Sequence, residues 1–263
     1  MRPGRPPADL WGLNDFCLEP VQGGHRNTVL RTTGTGPARV FKSTRRSEAA
    51  IAWLGPVLDA AEASGFVVAR PIPSHRGRLV EAGWTCEPAL EGAPFRPDDL
   101  PRIAPLLSAF LGRTRGLPQR PGFRSTAQLL HVPRGGDVDL TAMPPALVAA
   151  CRKAWRGIST VPHAAVHGDL GAQNLLWCAD DRPVLFDWDE ARRDAPLLDL
   201  IQVRADRPMR AHDHAHMAWE IACCWRYEPT RARALARRFL AAYITPSKCR
   251  QTPTRLPPSK GPR

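Results

Sequence analysis

His167-Gly168-Asp169-Leu170-Gly171-Ala172-Gln173-Asn174, followed thirteen residues later by Asp187 in Asp187-Trp188-Asp189, is the stretch that decides the reading of this 263-residue chain. Two short apolar runs, Asn174–Trp177 and Pro183–Phe186, flank Ala179-Asp180-Asp181-Arg182. That pattern predicts a β-hairpin with a polar turn. An Asp and an Asn five residues apart in a loop, and an Asp delivered by the end of a strand, can then converge on one point. Phosphoryl transfer needs such a grouping: one carboxylate to orient a hydroxyl and accept its proton, and an amide oxygen with a second carboxylate to hold a magnesium ion.

Upstream, Thr28–Thr33 and Ala38–Ser43 are β-type runs separated by Gly34-Thr35-Gly36-Pro37, which predicts another hairpin. From Ser47 the period changes, with Ile51, Leu54, Leu58 and Ala61 at helical spacing. Ser47 can cap this helix, Pro56 should kink or break it, and Gly65 can end it. Phe66–Ala69, Arg78–Glu81 and Trp84–Cys86 are expected as further strands of the same small sheet. Beyond Gly92 the signals turn helical: Leu100 to Leu111 behind a capping Asp98 or Asp99, a helix after Pro145, and helices over 211–226 and 229–243. Leu117–Thr141, dense in Gly, Pro and Arg, is expected to be irregular.

Composition excludes several classes. The net charge is +12, but Lys248, Arg250, Arg255, Lys260 and Arg263 lie in the acid-free, proline-rich segment 245–263, and Arg2 and Arg5 in a second proline-rich end. Seven of the twelve excess charges thus belong to segments expected to be solvated tails, so the charge does not indicate a nucleic-acid partner. Seven cysteines form no C-x-x-C pair, and no run of about 18 apolar residues occurs. A reduced, cytoplasmic setting without a membrane partner is expected. The organisation follows as a tail over 1–10, a first lobe over 11–91, a second over 92–244 and a tail over 245–263.

The box from Val166 to Leu200, with His167-Gly168-Asp169 and Asn174, then Asp187-Trp188-Asp189, then Leu197-Leu198-Asp199-Leu200, resembles the aminoglycoside phosphotransferase/choline kinase family. Ala69-Arg70-Pro71-Ile72-Pro73 and Gly77-Arg78 through Gly83-Trp84 resemble an actinobacterial branch of it. The resemblance implies an α+β, bilobal protein-kinase-like fold, with a small antiparallel β-sheet lobe carrying one main helix and a larger, mainly helical lobe. It implies an ATP- and Mg²⁺-dependent enzyme that phosphorylates a hydroxyl of a small molecule. Asp169 would be the catalytic base, Asn174 and Asp187 the metal ligands, His167 a brace for the loop, and Asp199 a structural anchor.

On the same grounds Gly23, Gly24 and Asn27 would cover the nucleotide. Lys42, the only lysine in the first 150 residues, would hold its phosphates, and Glu87 to Ala89 would meet the adenine. Glu48 would pair with Lys42, although only six residues separate them. That compressed connection is the argument for a second reading, a nucleotide-binding module without turnover. His212, His214 and His216 lack a fourth metal ligand, Cys223 and Cys224 read as core thiols, and Arg231, Arg233, Arg237 and Arg238 read as a solvated helix face.

Overall fold

The computed structural model describes residues 4–13, 17–21, 26–34, 36–204 and 211–244, with backbone only for Ala211, His212, Tyr243 and Ile244. Gly23, Gly24 and the 245–263 segment lie outside the described residues.

The first lobe is an antiparallel sheet of β1 (Cys17–Pro20), β2 (Val29–Thr33), β3 (Arg39–Ser43) and β5 (Trp84–Pro88), in that order. The expected β2–β3 hairpin forms with Val29 opposite Lys42, and β5 places Thr85 on the other side of Lys42. Alternation sends Phe41, Trp84 and Cys86 inward, where Ala8 and the edge of the Trp11 ring cover them. Residues 1–10, expected as a solvated tail, therefore include a packed portion: Ala8 starts a 3-10 turn over 8–11 and is 3% exposed. Proline precludes regular helix there, but it does not prevent an apolar residue from docking on an open sheet face.

The helix predicted after Ser47 is broken into α1 (Glu48–Ala52) and α2 (Leu54–Glu62). Ser47 Oγ accepts the Ala50 N–H at 3.3 Å, the capping bond expected from its position. The break at Trp53 is one turn before Pro56, which has no N–H to give the Ala52 carbonyl. Two strand expectations change. Arg78–Glu81 is irregular apart from a single bridge between Glu81 and Trp84, because the Leu79 and Val80 N–H groups donate to the Glu48 carboxylate at 2.7 and 3.0 Å. The Phe66–Ala69 run yields β4 (Val67–Val68), which does not join the first sheet. It lies parallel to β11 (Pro183–Leu185), in a sheet completed by β10 (Leu175–Trp177) and β6 (Ala93–Pro94).

The second lobe holds α3 (Ala104–Arg113), α4 (Pro145–Arg156), α5 (Leu197–Leu200), α6 (Ala211–Cys224) and α7 (Pro229–Ile244). Trp155, Trp219 and Phe239 close its core at no more than 2% exposure. Cys223 is buried in it, as expected of a core thiol, whereas Cys224, equally buried, has its sulfur against Arg26 and Glu228.

The Leu117–Thr141 excursion is irregular in backbone but firmly anchored. Trp53 Nε1 donates to the Pro118 carbonyl at 2.9 Å. The fully buried Arg120 donates to the carbonyls of Ala50, Trp188, Asp189 and Ala191 at 2.9–3.0 Å. Its short strands β7 (Arg134–Gly135) and β8 (Val138–Asp139) form a hairpin. Thr126 is bound through its N–H and hydroxyl to Asp194 of β12 (Arg192–Asp194), which pairs with β9 (Ala164–Val166). No helix among the described residues is long and apolar enough to cross a membrane.

Candidate active site

β9 ends at Val166, and the next residues turn sharply. Gly168 has φ +85°, and a Cβ there would lie 2.6 Å from both the Glu190 carbonyl oxygen and Arg192 Nη1, so only glycine fits. Asp199, 1% exposed at the start of α5, accepts the His167 N–H at 2.5 Å and the Gly168 N–H at 3.0 Å. His167 is fully buried and donates from Nε2 to the Phe186 carbonyl at 2.9 Å, with its ring against Trp188. These bonds tie the 167–169 turn to the end of β11 and aim Asp169 at the cleft.

Asn174 ends the loop. Its Nδ2 donates to the Asp169 carbonyl at 2.7 Å and to Asp169 Oδ2 at 3.1 Å, which leaves the amide oxygen facing away. Asp187 sits in the left-handed region, φ 61° and ψ 61°, a conformation a non-glycine residue holds only when its surroundings enforce it. The enforcement is visible: Arg120 takes the next carbonyls, and the Lys42 ammonium donates to Asp187 Oδ1 and lies 3.4 Å from Asp189 Oδ2. Asn27 also donates to Asp189. Burial works against both charges of the Lys42–Asp189 pair. The carboxylates still hold the Lys42 pKa above its ordinary value, and Lys42, Arg46 and Arg120 bring Asp189 down to about 2.

Asp169, Asn174, Asp187, Asn27 and Lys42 are thus gathered around one cavity of about 590 Å³. A second, more apolar cavity of about 390 Å³ shares Lys42, Asn174 and Asp187 with the first and continues beneath β5, lined by Val40, Glu87, Ala89, Leu176 and Phe186. One expectation needs correction and another is narrowed. Glu48 does not reach Lys42, because its carboxylate is occupied by the 79–80 backbone, and Asp187 and Asp189 take its place. Ala89 lines the apolar cavity, but its N–H already donates to the Ala38 carbonyl at 3.0 Å, so it has no free donor for a base.

Glu87 has a distinctive electrostatic position. Burial pushes its carboxyl up to about 7 despite the nearby Lys42 charge, with Asp187 and Asp189 adding to the rise. A carboxyl raised above its ordinary 4.5 favours the fold while protonated. That contribution is complete below about pH 4.5 and is lost as the pH rises through 7. Glu87→Gln, which cannot ionise, is therefore expected to gain stability relative to the parent between pH 5 and pH 8. Urea midpoints of both proteins at the two pH values check this; an unchanged difference refutes it.

Several side chains around the polar cavity escape sequence reasoning. Arg26, just after the glycine pair, reaches across to Glu190 at 2.5 Å, Glu228 at 3.0 Å and Asp137 of the β7–β8 turn at 3.4 Å. Arg46 also bonds Asp137, at 2.8 Å. Arg231 is not on a bare solvated face: it pairs with Glu220 at 3.0 Å and Glu228 at 3.4 Å, and all three line the cavity with His216 and Gln202. The side chain of His212 lies outside the described residues. Among those described, no group of three or more His, Cys, Asp or Glu side chains is arranged to hold a metal by itself.

A model of the phosphotransferase enzyme family matches residues 18–256. The chain belongs to that family. No curated protein matches it in sequence. Solved structures share the protein-kinase-like fold of this phosphotransferase family member at low identity. A microcompartment-associated aminopropanol kinase superposes with TM-score 0.60 at 14% identity, covering 88% of this chain and 92% of that one. The choline kinase LicA from Streptococcus pneumoniae gives 0.60 at 13%, covering 89% and 97%. A thermostable mutant of aminoglycoside phosphotransferase APH(4)-Ia, in ternary complex with AMP-PNP and hygromycin B, gives 0.58 at 13%, covering 86% and 92%. At such identity these likenesses establish the bilobal α+β architecture and leave the acceptor open.

Proposed function

We propose that this phosphotransferase moves the γ-phosphate of ATP to a hydroxyl of a small molecule. The observation that carries the reading is the convergence of Asp169, Asn174, Asp187 and Lys42, from a loop, a hairpin end and the opposite lobe, on one cleft. The apolar cavity beneath β5 suits an adenine ring, and the AMP-PNP complex of the APH(4)-Ia mutant is consistent with ATP as donor. Pro88 has no N–H and that of Ala89 is committed, so Leu90, which lines the same cavity, offers the next backbone donor for the base. Lys42 binds phosphate oxygens once released from Asp187.

The oxygen donors Asn174 Oδ1 and Asp187, the latter already facing the Lys42 ammonium, fit Mg²⁺. When bound, that ion would neutralise phosphate charge. Asp169 accepts the proton of the acceptor hydroxyl as its oxygen bonds to the γ-phosphorus and the bond to the β,γ-bridging oxygen breaks, releasing ADP. Asn174 holds the Asp169 side chain in place through the 3.1 Å bond. Most of the rate then comes from position and charge neutralisation.

Titration of the protein with Mg-ATP by calorimetry tests the reading. Saturable, magnesium-dependent binding that Asp187→Ala abolishes is expected, and absence of binding to the parent protein refutes it. Binding without ADP release on any hydroxyl compound would instead favour a nucleotide-binding module.

A further inference from the structure

The acceptor side of the cavity lies beyond Asp169, against α6 and the start of α7. Its carboxylates are Glu190, Glu220 and Glu228, and each is already held by a guanidinium: Glu190 by Arg26 at 2.5 Å, Glu228 by Arg26 at 3.0 Å and Arg231 at 3.4 Å, and Glu220 by Arg231 at 3.0 Å. An ammonium ligand needs carboxylate lone pairs that are free to meet it. Here it would find each of those acids already engaged by a guanidinium, and two cations, Arg26 and Arg231, on the same wall. A quaternary ammonium group needs the face of an aromatic ring. Among the described residues that line this cavity, none is Phe, Tyr or Trp.

The wall also presents Gln173, Gln202 and His216, whose amides and imidazole both donate and accept. Such groups match hydroxyls, which also do both. We propose that the acceptor is an uncharged polyhydroxylated molecule, and that the Arg231 bridge between Glu220 and Glu228 is the device that turns amine-bearing analogues away. This rests on the phosphotransferase reading and narrows it. The reaction is the one written above: the acceptor oxygen bonds to the γ-phosphorus, its proton passes to Asp169, and ADP leaves.

Matched acceptors test the proposal. ADP release with Mg-ATP is measured for glucose against glucosamine and for myo-inositol against an amino-inositol, with kanamycin as a polycation. The uncharged member of at least one pair is expected to show a kcat/KM at least about tenfold above that of its amine partner, a factor equal to one step of differential binding. Arg231→Gln, at a half-exposed position, frees Glu220 and one oxygen of Glu228, whose other oxygen stays with Arg26, and should narrow that ratio about threefold or more, as expected for an accessible ion pair. Preference for the amines or kanamycin, no stimulation by any uncharged compound in a protein that binds Mg-ATP, or an Arg231→Gln ratio unchanged from the parent each overturns the proposal. Failure to bind Mg-ATP at all overturns the phosphotransferase reading and this inference with it, so calorimetry separates the two failures.

Discussion

Asp169→Asn is expected to lower kcat about 10³-fold while leaving the Kd for Mg-ATP within about threefold, the signature of a lost general base in an intact nucleotide site. The substitution is close to isosteric. The Asn174 amide keeps the Asp169 backbone carbonyl at 2.7 Å as an acceptor, and a side-chain carbonyl oxygen can replace the carboxylate at 3.1 Å. Lys42, Asp187 and Asp189 do not touch Asp169 through any ion pair, so their geometry is preserved. Steady-state ADP release against acceptor concentration, with calorimetry on the same protein, supplies both numbers. A fall of less than tenfold would remove Asp169 from the base role, and a parallel collapse in nucleotide affinity would show that it acts through the phosphate site instead.

Arg120→Met should be the most damaging single change away from the chemistry. Arg120 is 1% exposed and donates to four carbonyls: Ala50 on α1, and Trp188, Asp189 and Ala191 on the turn that carries Asp187. Burial lowers its pKa, to about 10, yet the side chain stays a cation at neutral pH and serves the Asp189 charge. A methionine fills similar volume but takes a donor from each of those carbonyls, of which Trp188 keeps the Ala191 N–H at 3.1 Å, and leaves Asp189 with Lys42 and Arg46 as its remaining neighbouring cations. A loss of about 4 kcal/mol is expected, from several unsatisfied acceptors and a weakened ionic cluster. For a chain of this size that is a fall of about 10 °C in Tm. Arg120→Lys should recover less than half, because one ammonium cannot reach α1 and the 188–191 turn together. Urea unfolding checks both variants; a loss under 1 kcal/mol for Arg120→Met would refute the clamp.

What could be read from the sequence was what is encoded locally. Ser47 caps a helix because its hydroxyl meets an N–H three residues on, and the two hairpins form because turn residues separate short apolar runs. The Asp169, Asn174 and Asp187 grouping was legible because one loop and one hairpin hold all three. Glu48 misled because its spacing from Lys42 gives no sign that two backbone N–H groups more than thirty residues away would claim it. Arg26, Asp137, Glu190, Glu228 and Arg231 come from four separate parts of the chain, and each alone looks like an ordinary surface charge. Only packing of the 117–141 excursion and of α6 and α7 makes them neighbours. The strand pairing of Val67–Val68 was hidden for a related reason: periodicity shows a strand but not its partner.

That pairing has a consequence during biosynthesis. Val67 and Val68 leave the ribosome with no strand to join, since Val184 and Leu185, their partners, are more than a hundred codons downstream. At about 5–20 residues per second the wait is about 6–23 s. For that interval the nascent chain carries a naked apolar edge beside a hairpin that can already close. Slow codons between the two segments would prolong that exposure, and a chaperone that shields residues 66–69 would have its greatest effect on yield during this window.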